Sequence, residues 1–294
     1  MKTGCLVNLK PGLYIVSTPI GNLNDITLRA LDVLKSSDII FCEDTRVSNK
    51  LLVKHQIKAS LKVYNDNSDI SSRNNIKKLI EEGKIISLIS DAGTPLISDP
   101  GYKLVRDLKS SGLYVDVIPG PCAAIAALTL SGLPTDKFYF AGFLPKTREG
   151  KLKTFNSLSN MQCTLIFYET ALRLVTTLEI ALEVLGNRKA NVAREITKLY
   201  QESNTASLSE LIDHYKLFPP KGEIVLSIYG EEFGAVSVDK LRADILSLIA
   251  EGLSAKSVSD KMFAEYSECF SRKDIYKMTN EIKADFDRCA ISQR

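Results

Sequence analysis

A long loop between a predicted strand and a predicted helix, Ser90–Gly101, constrains the fold of this chain more than any other stretch. The apolar run Ile85–Ile89 before it predicts a buried strand, and the helical spacing of apolar residues within Tyr102–Leu108 predicts the helix. Asp99 followed by Pro100 is typical of a helix start, with an N-cap and then a proline in the first turn. The loop is rich in glycine, proline and small polar residues, and it is longer than an ordinary strand-to-helix connection. Because open α/β folds bind ligands at the carboxyl edge of the sheet, we expect this loop to bind a ligand.

The first part of the chain alternates short apolar runs with helical patterns. Strands are predicted at Leu13–Val16, Ile39–Cys42, Leu61–Tyr64 and Val115–Ile118. Helices are predicted after a cap at Asp25 or Thr27, around Leu51 and Leu52, over Ser72–Glu82 until Gly83, and over Cys122–Leu130. This βαβα order predicts a mostly parallel sheet with helices on both faces.

A second set of elements begins near Phe138. Further strands are predicted at Phe138–Phe140, Thr164–Tyr168, Asn191–Ala193 and Ile224–Tyr229, with helices over Ala171–Leu185 and Leu208–Tyr215. The sheet-like pattern stops at Gly230–Val236, and a small helical bundle of the helix-turn-helix type is predicted from Leu241–Ala250, Ala255–Ala264 and Lys273–Ile282. Within 294 residues, we therefore expect an N-terminal α/β domain over 1–119, a second α/β domain over 120–232 and a helical domain over 233–294.

The composition argues against several classes of protein. A net charge of +3 gives no global basicity, so any contact with RNA must come from a local patch. None of the six cysteines stands in a C-x-x-C pair, which argues against a zinc site or a disulfide framework, and we expect no metal. The N-terminus lacks the apolar core of a signal peptide, and no apolar run is long enough to cross a bilayer. We therefore expect a cytoplasmic protein.

The familiar phosphate-binding motifs are missing from the sequence. It contains neither a P-loop nor a G-x-G-x-x-G motif. A cofactor held by its phosphates, as in ATPases and nicotinamide enzymes, is therefore disfavoured. Gly/Pro loops at strand ends with carboxylates beside them favour a ligand with an adenine, ribose hydroxyls and zwitterionic ends.

Eight motifs stand in order along the chain and carry a resemblance to one family. They are Thr18–Ile26, Glu43–Arg46, Ser90–Gly101, Pro119–Pro121, Phe140–Pro145, Tyr168–Glu169, Arg194–Lys198 and Lys221–Glu223. In order and spacing they resemble the signatures of the ribosomal RNA small subunit methyltransferase I family. This family is the ribose-2′-O-methylating branch of the tetrapyrrole methylase superfamily, and the resemblance runs from about Gly12 to Tyr229.

The resemblance implies two α/β domains of the tetrapyrrole-methylase (class III methyltransferase) type, with S-adenosylmethionine in the cleft between them and a small helical C-terminal appendage. It also implies methyl transfer to the 2′-hydroxyl of a cytidine in the decoding region of 16S rRNA. We expect that RNA within an assembled 30S particle, and the enzyme as a homodimer. The cofactor-binding residues that the resemblance implies are Pro19, Ile20, Asp91, Ala92, Gly93, Thr94, Pro95, Cys122, Ala123, Tyr168, Ala193, Glu223 and Ile224.

The reaction asks little covalent chemistry of the protein. A sulfonium already activates its methyl group, so the enzyme must mainly align the donor carbon with the ribose oxygen. A base near the ribose hydroxyl should help, and the candidates at predicted strand ends are Glu43, Asp44, Glu169 and Glu195. Nearby cations could bind phosphate or offset these carboxylates, namely Arg46, Arg194 and Lys198. The alternative is that Glu43–Arg46 and Glu195–Lys198 are ion pairs that brace loops.

A local basic cluster follows the Phe140–Pro145 motif. It consists of Lys146, Arg148, Lys151 and Lys153. We expect it either to hold an RNA backbone beside the cleft or to form an ordinary solvated face. Two other functions stay open: a methyltransferase of the same scaffold that acts on a tetrapyrrole or a translation factor, and a ribosome assembly factor without catalysis. The Glu43–Arg46 motif and the helical tail argue against the first of these.

Overall fold

The computed structural model describes residues 9–65, 70–230, 238–267 and 270–292. The chain forms two compact units, one that contains both β-sheets and one that contains the helices after Gly230. Within the expected boundary segment, residues 230–236, residues 231–236 lie outside the described residues. The division into three domains at 119/120 and 232/233 stays a prediction.

Among the described residues, the first sheet has five strands, all parallel, in the order β3-β2-β4-β1-β5. The strands are β1 (Gly12–Val16), β2 (Ile39–Cys42), β3 (Ser60–Val63), β4 (Ile85–Leu88) and β5 (Val115–Ile118). The connecting helices are α1 (Leu28–Ser36), α2 (Thr45–Lys54), α3 (Ile70–Glu81) and α4 (Tyr102–Ser110). The predicted parallel sheet is confirmed.

Helices cover both faces of this sheet. On β1, Tyr14 and Val16 pack into a core with α1 and α2. Leu13 and Ile15 pack into a second core with α3 and α4. Because successive residues of a strand point to opposite faces, a strand that is buried on both sides is apolar at every position.

Helix α1 begins at one of the two caps that the sequence offers. The Oγ1 atom of Thr27 accepts a hydrogen bond from the N–H of Ala30 at 3.1 Å. Asp25 instead ends a short 3₁₀ turn, Leu23–Asp25. Thr27 is therefore the cap of α1.

The predicted start of α4 at Asp99 and Pro100 is wrong. The helix begins at Tyr102, and Gly101 precedes it with a φ of +129° and no side-chain cap. A Cβ atom on Gly101 would lie 2.8 Å from side-chain atoms of Leu88 and Leu96. The loop therefore ends at Gly101, as its predicted bounds indicated, and the carboxyl group of Asp99 does not cap the helix.

The second sheet mixes parallel and antiparallel pairs in the order β6-β7-β10-β8-β9. Its strands are β6 (Phe138–Phe143), β7 (Thr164–Thr170), β8 (Lys189–Arg194), β9 (Glu202–Ser207) and β10 (Glu223–Ile228). Strands β6 and β7 are parallel, whereas β10 pairs antiparallel with β7 and β8, and β9 pairs antiparallel with β8. The sequence pattern did not predict β9, whose residues are mostly polar.

Helices pack on both sides of the second sheet. They are α5 (Ala123–Ser131), α6 (Arg148–Leu158), α7 (Leu174–Leu185) and α8 (Leu208–Leu217). On one side, Ala124, Ala127 and Leu128 of α5 pack against the sheet. On the other side, Phe155 of α6 meets Phe167 of β7 edge-on, with ring centroids 5.4 Å apart. The small side chains of α5 allow that helix to approach the sheet closely.

The second compact unit contains α9 (Val238–Ala250), α10 (Ala255–Tyr266) and α11 (Arg272–Ser292). Its core includes Leu241, Ile245, Val258, Met262 and Ile275. The three predicted helices are confirmed, and α11 is longer than its pattern indicated. None of the described helices is both long enough and apolar enough to cross a bilayer.

Replacing Phe155 by alanine tests the packing of α6. The side chain is fully buried, so the Phe155→Ala variant should lose about 3–5 kcal/mol of unfolding free energy, which urea titration measures. Phe218 is 65% exposed, so Phe218→Ala should stay within about 0.5 kcal/mol of the wild type and serves as the control. Equal losses in both variants would contradict the packing described.

Candidate active site

A pocket of about 400 Å³ opens at the carboxyl end of the first sheet. The loops that follow β1, β2, β4 and β5 all contribute to its wall, with Ile20, Glu43, Asp91, Ala92, Gly93, Thr94, Ile97, Asp99, Cys122 and Ala123. The part of the same compact unit that carries the second sheet contributes Phe143, Tyr168, Glu169, Thr170, Ile196, Gly222, Glu223, Ile224 and Val225. The pocket thus lies where the sequence predicted a ligand.

Hydrogen bonds join the loops that form the pocket. The N–H of Thr18 donates to the carbonyl of Gly93 at 2.8 Å, and the N–H of Gly93 donates back at 3.1 Å. The hydroxyl of Thr18 also donates to the carbonyl of Ser90 at 3.2 Å. The hydroxyl of Thr94 donates to the carbonyl of Pro121 at 3.0 Å. These bonds fix the loop after β4 against the loops after β1 and β5.

The loop after β4 also contains left-handed backbone. Gly93 has a φ of +83°, and a Cβ atom there would lie 3.3 Å from Cγ2 of Ile20. Two residues with side chains, Leu96 and Ser98, have φ values of +72° and +65°. Such residues cost on the order of 1–3 kcal/mol each and persist where the surrounding structure holds them, which is common in ligand-binding loops.

Three carboxyl groups face the pocket from the first sheet: Glu43, Asp91 and Asp99. No ion pair neutralises them among the described residues. Burial, together with the charges of Asp99 and Asp91, raises the pKa of Glu43 to about 7, although a hydrogen bond from the backbone of Asp91 opposes this shift. Burial likewise raises the pKa of Asp99 to about 6, with a smaller contribution from Asp91. Glu43 can therefore take up or release a proton near neutral pH.

Glu169 lies in the pocket wall, but its carboxylate is buried and both of its oxygens are occupied. Oε1 accepts hydrogen bonds from the N–H of Thr170 at 2.7 Å and from Nε of Arg173 at 2.6 Å. Oε2 accepts a hydrogen bond from the hydroxyl of Thr177 at 2.8 Å and lies 3.6 Å from Nζ of Lys151. This network fixes the end of β7, and its geometry does not favour Glu169 as a base. The catalytic assignment of Glu169 stays a prediction.

The same network corrects the predicted basic cluster. Lys151 is 2% exposed and donates to the hydroxyl of Thr177, so for this residue both interpretations, RNA contact and solvated face, are wrong. Arg148 is paired with Glu183 at 2.6 Å. Helix α6 places Lys151 on its buried side, which charge spacing alone does not reveal. Contact of the remaining exposed cations with RNA stays a prediction.

Two further predicted groups, Glu195 and Lys198, lie outside the pocket lining. Nζ of Lys198 donates to Glu195 at 2.9 Å and to Glu223 at 2.8 Å. The N–H of Glu223 donates to the same oxygen of Glu195 at 3.1 Å, and the hydrogen bond from Lys198 is the main cause that lowers the pKa of Glu195. The expected Glu195–Lys198 pair is confirmed, and it braces the loop beside the pocket.

Arg46 does not pair with Glu43, and the predicted Glu43–Arg46 ion pair is wrong. Its guanidinium lies 2.6 Å from Asp44, and its side chain is 88% exposed. The carboxylate of Asp44 also accepts a hydrogen bond from the N–H of Arg46 at 2.8 Å, as an N-cap of α2. Glu43 is consequently left without a cation, which permits its raised pKa.

Most of the expected cofactor-binding residues meet in one place. Those that line the pocket are Ile20, Asp91, Ala92, Gly93, Thr94, Cys122, Ala123, Tyr168, Glu223 and Ile224. Those that do not line it are Pro19, Pro95 and Ala193. Of the expected catalytic residues, Glu43 and Glu169 line the pocket, whereas Arg46, Glu195 and Lys198 do not.

The sequence analysis missed several lining residues. These are Ile97, Asp99, Phe143, Thr170, Ile196, Gly222 and Val225. Six of them belong to, or directly follow, motifs already identified in the sequence. Assigning each whole motif to the site, and not only its best-matched positions, would have found them.

Comparisons with known proteins agree with this geometry. The family Tetrapyrrole (Corrin/Porphyrin) Methylases matches residues 12–212. A protein of Rickettsia prowazekii (strain Madrid E), named Ribosomal RNA small subunit methyltransferase I, is 53% identical over 94% of this chain and 98% of its own length. A protein of the same name from Thermotoga maritima is 43% identical over 75% of this chain and 99% of its own length.

The chain belongs to the ribosomal RNA small subunit methyltransferase I family of tetrapyrrole methylases. As a member of this family it is an S-adenosylmethionine-dependent methyltransferase, and the predicted fold class is confirmed. The crystal structure of a diphthine synthase has a TM-score of 0.60 over 74% of this chain and 90% of that chain. Its sequence is only 12% identical, so this likeness concerns the fold alone.

The pocket of this methyltransferase fits its cofactor in size and in chemistry. Small-molecule sites typically enclose about 300–1,000 Å³, and this one encloses about 400 Å³. Ala123, Ile224 and Val225 offer an apolar wall suited to an adenine. The carboxylates of Asp91 and Glu223 are acceptors suited to ribose hydroxyls or an ammonium group.

Stability measured against pH tests the environment of Glu43. Its pKa is about 7 in the folded protein against an ordinary 4.5, so the wild type loses unfolding free energy as the pH rises between these values. A Glu43→Gln variant should not lose this unfolding free energy, because a glutamine has no carboxyl group to ionise. It should therefore gain stability relative to the wild type at about pH 8 and not at about pH 4, as measured by urea titration.

Glu195→Gln is the matched control with the opposite sign. Because the pKa of Glu195 is lowered, its ionisation stabilises the fold above the ordinary pKa of 4.5. This variant should be less stable than the wild type at about pH 8, and the difference should shrink as the pH falls below 4.5. A pH dependence in Glu43→Gln identical to that of the wild type would contradict the raised pKa.

Proposed function

We propose that this methyltransferase transfers a methyl group from S-adenosylmethionine to the 2′-hydroxyl of a cytidine in the decoding region of 16S rRNA. The names of the relatives, at up to 53% identity, support small-subunit ribosomal RNA as the substrate. The observation that carries the chemistry is Glu43, an unpaired carboxyl group with a raised pKa in a pocket that fits the cofactor. The ribose position within that RNA is inferred from the sequence motifs.

In this proposal the preformed loops hold the cofactor. When bound, S-adenosylmethionine supplies a methyl group that its sulfonium has already activated. Asp91 and the backbone of Gly93 orient it from the first half, and Tyr168 and Ile224 close the opposite wall. The hydrogen bonds between Thr18 and Gly93 keep this arrangement rigid before binding, so little ordering is needed when the ligand arrives.

Glu43 is the proposed general base. Its carboxylate would accept the proton of the ribose 2′-hydroxyl as that oxygen bonds to the methyl carbon, while the bond from this carbon to the sulfonium sulfur breaks and S-adenosylhomocysteine leaves. A base with a pKa near the working pH is the most effective, and burial together with two neighbouring acids gives Glu43 such a pKa. Asp99, with a pKa of about 6, lines the same pocket and helps to keep that of Glu43 high.

The other expected catalytic residues support the site from outside it. Glu169 is a positioning residue that holds the end of β7, and therefore Tyr168, through its bonds to Arg173 and Thr177. Glu195 and Lys198 hold the start of β10 in the same way. Arg46 is exposed and is available to an RNA phosphate.

The assembly and its location remain expectations. The family resemblance favours a homodimer that acts in the cytoplasm on an assembled 30S particle. Light scattering during gel filtration measures the oligomeric state. The rate of methylation of free 16S rRNA, compared with that of undermethylated small subunits, shows whether the assembled 30S particle is the substrate.

Replacing Asp91 tests the cofactor site. If its carboxylate binds a polar group of the cofactor, Asp91→Ala should weaken S-adenosylmethionine binding by about 10- to 150-fold in calorimetric titration. Asp44→Asn is the control, because Asp44 is next to Glu43 in sequence but does not line the pocket. Unchanged cofactor affinity in Asp91→Ala, with an unchanged melting curve, would remove this loop from the site.

Replacing Glu43 tests the base. Single-turnover assays with a labelled methyl donor and undermethylated small subunits should show Glu43→Gln slower by about 100-fold or more, with nearly normal cofactor binding. The wild-type rate should fall below about pH 7 as Glu43 is protonated, and the variant should lack this inflection. The Glu195→Gln variant should retain the inflection near pH 7. A Glu43→Gln variant with wild-type turnover would place the base elsewhere, and a wild type that methylates no RNA would refute the proposed substrate.

A further inference from the structure

Phe143 is the most exposed large apolar side chain in the pocket wall. It is 59% exposed, and Ile97, on the loop after β4, is 41% exposed. The other large aliphatic side chains of the lining, among them Ile20 and Ile224, are less than 10% exposed. The pocket therefore has a closed apolar wall in its depth and a second apolar surface that faces solvent.

An irregularity in β6 turns Phe143 toward the pocket. Phe140 is paired with Ile166 and Phe143 with Tyr168, so three positions on β6 span only two on β7, and Ala141 is the extra residue of a β-bulge. In a regular strand, residues three apart point to opposite faces. The bulge instead places Phe140 and Phe143 on one face. There both rings meet the ring of Tyr168 edge-on, with ring centroids 4.9 Å and 5.3 Å away, respectively.

A glycine makes this bulge possible. Gly142 has a φ of +69°, and a Cβ atom on it would lie 3.1 Å from Oγ of Ser98. Ser98 follows Ile97 and precedes Asp99, both of which line the pocket. The bulge in β6 therefore packs against the loop that carries Ile97, and Phe143 shares one pocket with the carboxyl groups of Asp99 and Glu43.

A solvent-facing aromatic ring in this position suits an unpaired nucleobase. Proteins recognise single-stranded RNA by stacking its bases on aromatic side chains, and enzymes that modify a nucleotide take it out of the helical stack. We propose that Phe143, together with Ile97, forms a stacking subsite for the base of the nucleotide whose ribose is methylated. This inference rests on the proposed function and adds to it how the target base is held while Glu43 faces the ribose hydroxyl.

The aromatic face of residue 143 is the property to test. Phe143→Leu keeps an apolar side chain against Tyr168 but removes the flat ring, whereas Phe143→Tyr keeps the ring. With undermethylated small subunits, Phe143→Leu should lower kcat/KM by about 5- to 160-fold, the range that corresponds to stacking of one base. Phe143→Tyr should stay within about 3-fold of the wild type, since any base stacks on either ring.

The matched control is Tyr139→Leu, which removes an aromatic ring that is 42% exposed on the same strand but is not part of the pocket lining. This variant should keep the wild-type kcat/KM. Calorimetry should show the same affinity for S-adenosylmethionine in all three variants and the wild type.

Three outcomes would overturn the inference. If Phe143→Leu is as active as the wild type, or if Phe143→Tyr is impaired as strongly as Phe143→Leu, no base stacks on this ring. If Phe143→Leu loses cofactor affinity in proportion to activity, the ring belongs to the cofactor site. If its loss of activity is reversed at higher protein concentration, the surface is a contact between copies of the chain. A wild type without RNA methylation would refute the proposed function instead, so the two failures are distinguishable.

Discussion

The site depends first on the two backbone hydrogen bonds between Thr18 and Gly93. They join the loops after β1 and β4, two strands that are neighbours in the parallel sheet. Only a residue that tolerates a φ of +83° can make this approach, which is why a glycine stands at the closest point. Because the loop after β4 is held there, its acidic residues Asp91 and Asp99 face the same pocket as Ile20. Strained positions such as Leu96 and Ser98 persist for the same reason.

The two halves of the α/β unit contribute carboxyl groups of opposite character. Glu43 and Asp99 of the first half have no cation partner among the described residues, and burial raises the pKa of each. Glu169 and Glu195 of the second half are bonded to Arg173 and Lys198. A carboxylate that is paired with a cation stays ionised and positions the backbone around it, whereas one without a cation partner and with a pKa near neutral can exchange a proton. In the proposed function, the first half therefore provides the acid–base chemistry, and the second half provides a rigid wall.

Much of the fold could be predicted because the apolar composition of most strands indicates that they are buried. The central strands of the first sheet are apolar at every position except Ser87 of β4, and the capping signals at Thr27 and Gly186 lie within a few residues of the helix ends that they mark. Strand β9 shows the limit of such patterns. Its residues are polar, and its place is decided by the ladder with β8 and by hydrogen bonds from Asn191 to Ser203 at 2.8 Å and to Thr205 at 2.7 Å. Those partners lie on a neighbouring strand, 12 and 14 residues away, so the residues of β9 alone do not indicate a strand.

The amino-acid sequence by itself determined the α/β architecture, the long loop after β4 and most of the residues that line the pocket. Its motifs are contiguous and their chemistry is local. The tertiary structure decided which charged groups are free. It buried Lys151 against Thr177, paired Arg46 with Asp44 and left Glu43 without a cation partner in the part of the chain that the structure describes. It also turned Phe143 into the pocket through a bulge that exists only as a register against β7. Ionisation and side-chain direction depend on distances between side chains, and those distances exist only once the chain has folded.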